Sequence, residues 1–148
     1  MVIPPLPFSV RDRVRWIDCD PFGIIYYGAY IRFFEIAEHE MLRSLGLPFD
    51  VLRVERDIWI PRKALTMEFH SPAAMDEEID IAAGVEHIGT TSVTFRFEVT
   101  AAASGEQRAT ARLTVVAVDK PTMTKRPIPD WLRTALERVR IPGGRQAL

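Results

Sequence analysis

Two carboxylates in a turn, followed by an apolar run with helical spacing, are the residues of this chain best suited to chemistry. The stretch Asp18-Cys19-Asp20-Pro21-Phe22-Gly23-Ile24-Ile25-Tyr26-Tyr27-Gly28 puts acids, a proline and a glycine where a strand ends and a turn begins. The chain is then predicted to enter a helix, whose first backbone N–H groups lack intrahelical acceptors and carry partial positive charge. A carboxylate and such donors facing one cleft suit acyl transfer. The donors polarise a carbonyl and hold the oxyanion. The carboxylate attacks the carbonyl carbon or takes a proton from water. On pattern alone the same acids also read as turn and N-cap residues.

The elements that must position this turn are legible from hydrophobic period. Phe8, Val10, Val14 and Trp16 share one parity, and Ser9, Arg11, Arg13 and Arg15 the other, which predicts a half-buried strand running into the turn. A helix is expected from near Gly28 to Gly46, a C′ glycine followed by Pro48. Tyr30, Phe33, Phe34, Ala37, Met41 and Leu45 form its apolar stripe, with Arg32, Glu35, His39 and Arg43 roughly opposite. Four strands follow, through Leu65–Phe69, Ile79–Val85, Val93–Val99 and Ala109–Ala117, with a turn at Ser104-Gly105. Pro129 opens a short helix through Trp131 and Leu136.

Five strands and one long buried helix make an α+β two-layer domain, taken as spanning 1–148 with an extended lead-in over 1–7 and a loose tail over 142–148. A sheet covered by one helix leaves core and edge exposed, so a homodimer pairing sheet edges is expected.

Composition narrows the function classes. The 148 residues are 47% hydrophobic and 26% charged, with a net charge of −1. That balance suits a globular fold and disfavours a phosphate-tracking nucleic-acid binder. The single cysteine, Cys19, allows no internal disulfide and fits a reducing, cytoplasmic compartment. Met1 to Pro7 lacks the basic start of a signal peptide, and no run of about 18 apolar residues is present to span a membrane. No histidine is spaced with another ligand for a metal, no Gly-x-Ser-x-Gly elbow marks a serine hydrolase, and no cofactor is expected.

The segment Asp18 to Tyr30 resembles the 4-hydroxybenzoyl-CoA thioesterase family of the hotdog superfamily. The likeness continues through Phe33-Phe34-Glu35, Leu45-Gly46-Leu47-Pro48, Pro61-Arg62-Lys63, Phe69, Ser71-Pro72-Ala73, Asp76-Glu77 and Ile88-Gly89-Thr90-Thr91-Ser92-Val93, roughly residues 10 to 118. The resemblance implies a hotdog fold, an antiparallel five-stranded sheet wrapped around one long helix. It implies hydrolysis of an acyl-CoA thioester and a homodimer or homotetramer with active sites between subunits. The family's catalytic aspartate falls on Asp20, the carbonyl-polarising backbone N–H on Tyr27, and Asp18 becomes a neighbour that shapes the turn. Gly28, Trp59, Arg62 and Lys63 are the expected substrate-binding residues. Two departures stand out. Tyr27 occupies a position where some branches carry histidine. Ile88-Gly89-Thr90-Thr91 replaces the basic cluster that holds the CoA nucleotide in the aryl-CoA type, which moves that contact to Arg62 and Lys63.

Two other carboxylates lie on the long helix. Glu35 is spaced for surface pairing with Arg32 and His39, although another hotdog branch uses a helix glutamate in catalysis. Glu38 flanks the apolar stripe and is expected to snorkel. The expected substrate is a short-chain or aryl acyl-CoA. The rival readings are a non-catalytic acyl-thioester binder and an acyl-thioester hydratase; the latter needs a histidine partner that does not occur between Asp20 and His39.

Overall fold

The computed structural model describes residues 5–143; most of the lead-in over 1–7 and of the tail over 142–148 lies outside them. Five antiparallel strands form one sheet, β1 (Phe8–Arg13), β2 (Arg62–Phe69), β3 (Glu78–Ile88), β4 (Ser92–Ala101) and β5 (Gln107–Val116), in the order β1-β3-β4-β5-β2. β3, β4 and β5 are a meander of alternating residues. Ile81 pairs with Val99, Phe97 with Ala111 and Phe95 with Leu113, so the apolar parity of all three points to one face.

Helix α1 (Tyr30–Ser44) lies across that face. Its Phe33, Phe34, Ala37 and Met41 are buried with Phe95 and Phe97, and the Phe34 and Phe97 rings stack at 5.2 Å. Each fully buried phenylalanine contributes about 2–3 kcal/mol. The helix ends where Gly46 takes φ +77°, the left-handed residue that lets the chain leave a helix without a Cβ clash. It begins later than the sequence pattern predicts. A 3₁₀ turn, Tyr27–Ala29, precedes it.

The helix packs over the β1 and β3 half of the sheet. β2 is consequently an edge strand with little above it: Leu65 is 39% exposed and Phe69 54% exposed although both have the core-facing parity. A short ribbon of β6 (Val118–Asp119) and β7 (Thr124–Lys125) has no counterpart in the sequence pattern; two residues are too few to show a period. α2 (Asp130–Glu137) starts after Pro129 and buries Leu132 and Leu136. No helix among the described residues is long and apolar enough to cross a membrane.

One inward assignment is corrected. β1 stops at Arg13, and Trp16 falls in a 3₁₀ turn, Trp16–Asp18, where it is 82% exposed. The parity argument holds only while the strand lasts, and Val14, fully buried, is its last inward residue.

Candidate active site

The turn between β1 and α1 is closed by its own backbone. Asp20 N–H donates to Ile24 O at 2.9 Å, Gly23 N–H to Asp20 O at 3.0 Å, and Tyr26 N–H to Asp18 O at 3.0 Å. Gly23 has φ +78°, which the turn requires and a Cβ would strain. Asp18 is 2% exposed. Its carboxylate accepts from Arg32 Nη2 at 2.7 Å on each oxygen and from the Arg15 backbone N–H at 2.8 Å. Asp18 is thus the structural acid, and Arg32, assigned by spacing to a solvent face, is its partner.

Asp20 is differently placed. It is partly buried, and one oxygen accepts the Phe22 backbone N–H at 2.9 Å. The other accepts no hydrogen bond among the described residues. With Trp16, Cys19, Pro21, Gly23 and Met75 the side chain lines an open cavity of about 370 Å³. The Cys19 thiol beside it is pushed above its usual range by burial and then by Asp18 and Asp20, which keeps it protonated and poorly nucleophilic at neutral pH.

At the helix start, the N–H groups of Tyr27 and Gly28 have no acceptor among the described residues. A Cβ on Gly28 would come within 2.8 Å of the Tyr26 ring, so glycine lets that ring lie against the backbone here. Tyr27 lines a second cavity, of about 330 Å³, with Ile25, Tyr30, Phe69, His70 and Ser71. Arg108 holds the wall of this cavity, donating to both Glu77 oxygens at 2.8 and 3.0 Å and to Ser71 Oγ at 2.8 Å. Burial raises the Tyr30 hydroxyl to about 12, so it stays neutral. Within one chain Asp20 and Tyr27 therefore line neighbouring cavities on either side of the turn, not one shared cavity.

The remaining expected substrate contacts lie further along. Arg62 opens β2 and donates to both oxygens of Glu38, to one at 3.0 Å. Glu38 is fully buried, not snorkelling, because the arginine comes to it from the edge strand. The burial pushes its carboxyl up against the opposing pull of Arg62. Its place at Phe34 plus four and Met41 minus three was the available signal. A charged residue inside an apolar stripe calls for a partner. Lys63 is exposed at the rim of a cavity of about 320 Å³ between α1 and β2. Trp59 lies apart from Asp20, in an apolar hollow with Phe49, Leu52 and Ile60, and its indole N–H is buried without an acceptor. Glu35 also lines the α1–β2 cavity from its exposed rim.

Residues 14–136 match the family model described as the thioesterase-like superfamily. The chain is 32% identical over 117 residues to the acyl-CoA thioester hydrolase YbgC of Escherichia coli, covering 79% of this chain and 86% of that protein. Among solved structures, a thioesterase-superfamily protein from Jannaschia sp. CCS1 superposes with a TM-score of 0.83 at 27% identity, over 94% of this chain and 99% of that one. A 1,4-dihydroxy-2-naphthoyl-CoA thioesterase from Synechocystis gives 0.81 at 21% identity, over 87% of this chain and 94% of that one, a likeness of fold.

Proposed function

The chain belongs to the thioesterase-like superfamily and is a thioester hydrolase of hotdog fold, and from that premise we propose that it cleaves short-chain or aryl acyl-CoA with Asp20 as its catalytic carboxylate. The observation that supports this reading is the pair of acceptor-free N–H groups at Tyr27 and Gly28, at the start of the 3₁₀ turn that leads into α1, with the Asp20 carboxylate, one oxygen of which accepts no hydrogen bond among the described residues, in the neighbouring cavity across the same turn. A thioester oxygen seated on those N–H groups gains the donors that a tetrahedral oxyanion needs. Asp20 then takes a proton from water as the water oxygen bonds to the carbonyl carbon. Alternatively, Asp20 bonds to that carbon itself and water cleaves the resulting anhydride. In either course the carbon–sulfur bond breaks, and the CoA thiolate leaves and is protonated.

Lys63 is the exposed cation assigned to the CoA nucleotide, since Arg62 is already bonded to Glu38; Arg62 and Trp59 belong to the walls around the substrate. Residues 1–148 are taken as one such domain, acting in the cytoplasm as a homodimer or homotetramer. Support for the dimer comes from apolar surface around both cavities. Trp16, Phe22 and Tyr27, all between β1 and α1, are 82%, 88% and 72% exposed, apolar surface of the kind that a subunit contact covers.

The test is thiol release from a panel of acyl-CoA esters by the wild type and Asp20→Asn. The amide keeps the Phe22 N–H contact but neither attacks nor accepts a proton. A fall in kcat of about 10²–10⁴-fold at unchanged melting temperature is expected. Undiminished release by a folded Asp20→Asn protein moves the chemistry elsewhere.

A further inference from the structure

The turn that carries Asp20 is seated on the segment 70–77, which joins β2 to β3 and belongs to neither a helix nor a strand. Ile25 N–H donates to Ala73 O at 2.9 Å and Met75 N–H to Gly23 O at 3.1 Å. Asp76 N–H donates to Val14 O at 2.8 Å, and Val14 N–H returns to Glu77 O at 2.9 Å. Gly23 and Ile25 flank Ile24, whose carbonyl takes the Asp20 N–H. Hydrogen bonds this short tolerate little displacement, so Asp20 stands where the segment 70–77 puts it. That segment is held in turn by Arg108 of β5. The Arg108 carbonyl accepts His70 N–H at 2.8 Å. Its guanidinium donates to Ser71 Oγ at 2.8 Å through Nη1, and to the two Glu77 oxygens at 2.8 and 3.0 Å through Nη2 and Nε. One planar fork thus ties both ends of the segment to the sheet. Nη1 also lies 3.1 Å from an oxygen of the exposed Glu106. The side chains of Arg108 and Glu77 are only 12% and 20% exposed, which limits the screening that weakens a surface pair.

We infer that Arg108 is a positioning residue for thioester hydrolysis, fixing the catalytic carboxylate from the sheet side through the segment 70–77. The inference rests on the reading of Asp20 given above. Arg32 performs the corresponding task from the helix side, through Asp18. Arg108 lines neither the Asp20 cavity nor the Tyr27 cavity, so its influence passes through Ser71, Glu77 and the backbone bonds to the turn. Loss of the guanidinium frees both ends of the segment, and the turn shifts with it. A reacting group displaced by about 1 Å loses about 10²-fold in rate. Substrate affinity does not depend on that alignment, so turnover falls while KM holds.

The experiment follows thiol release and thermal melting for the wild type, Arg108→Gln, Asp20→Asn and the double variant, with an ester the wild type hydrolyses and well below every melting temperature. Arg108→Gln is expected to lower kcat about 10²-fold with KM within about twofold. In the Asp20→Asn background the same substitution is expected to lower kcat by less than about threefold, because the group it positions has already lost its chemistry. A purely structural Arg108 lowers the melting temperature and leaves the folded variant with native kcat, or lowers kcat equally in both backgrounds; either result overturns the inference. Arg108→Lys keeps the charge but lacks the fork that spans Ser71 and Glu77, and its kcat is expected about tenfold below the wild type at unchanged KM. Should Arg108→Gln fail to fold, Arg108→Lys in the two backgrounds makes the same comparison, and a native kcat there overturns the inference. Native kcat in Asp20→Asn alone defeats the reading of Asp20 and this inference with it. An impaired Asp20→Asn beside a native Arg108→Gln defeats only the role of Arg108.

Discussion

Arg32 reaches back from the first turn of α1 to give both oxygens of Asp18 a hydrogen bond at 2.7 Å. The acid beside Asp20 is therefore what fastens the turn to the helix. Asp18 is 3% exposed in its side chain and Arg32 41%, so the carboxylate is desolvated while its partner keeps contact with water. Arg32→Met strands that carboxylate with one backbone donor. A loss of about 2 kcal/mol follows, less than for a wholly buried pair because water screens the arginine. Calorimetry is expected to show a melting temperature lower by roughly 4–8 °C. A displaced turn also misaligns Asp20, and kcat falls by about 10²-fold. A variant with native stability and native kcat breaks the link between this pair and the site.

Gly46 offers a simpler expectation. At φ +77° it has open space, with no atom within 4 Å, where a Cβ would stand, so Gly46→Ala meets no clash and costs only backbone strain. About 1–2 kcal/mol is expected, read as a drop in the urea midpoint at unchanged slope, with thioester turnover at its native value because Gly46 is remote from the turn. A midpoint identical to the wild type contradicts a left-handed C′ residue here.

This glycine is legible in the sequence because its cause is local: an apolar helical stripe, then Gly46, then Pro48. The alternation of Val93, Phe95, Phe97 and Val99 is legible for the same reason, and with it the sheet and its buried face. What escapes is set by partners distant in sequence. Arg32 meets Asp18 across 14 positions and Arg62 meets Glu38 across 24, and no periodicity reports such pairings. Trp16 is misassigned inward when alternation is carried past the end of β1. Asp20 and Tyr27 are picked out by resemblance; composition and spacing by themselves favour turn and capping roles.

Glu38 gives a pH dependence with a definite sign. Burial, the largest influence, raises its carboxyl above the ordinary 4.5, Arg62 opposes the shift, and Glu35 adds to it. A raised pKa means that the folded state holds the proton after the unfolded chain has released it. The resulting stability is fully present below about pH 4.5 and is lost as pH rises through the folded value. Glu38→Gln cannot titrate. The melting temperature of Glu38→Gln minus that of the wild type is therefore expected to increase as pH is raised from about 4.5 toward neutrality, other carboxylates cancelling in the difference. A difference that stays level, or shrinks, over that interval rules out a raised Glu38.

The edge strand β2 makes the last expectation. It pairs with β5 on one side only, in the register Leu65 with Leu113 and Phe69 with Ala109, and its core-parity residues Leu65 and Phe69 remain 39% and 54% exposed. An open edge with apolar side chains is costly in a free monomer and favours pairing with another chain. A second copy joining edge to edge extends the sheet by symmetry and roofs the cavity between α1 and β2. Sedimentation velocity at micromolar concentration is expected to show a dimer or a multiple of it. The substitution Leu65→Glu puts like charges near one another across such a two-fold contact, a penalty of several kcal/mol. The dissociation constant is then expected to rise by at least about 10²-fold, while the circular dichroism of the separated chains keeps its native sheet signal. A wild type that sediments as a monomer, or a Leu65→Glu dimer of undiminished affinity, shows that the subunits do not meet along β2.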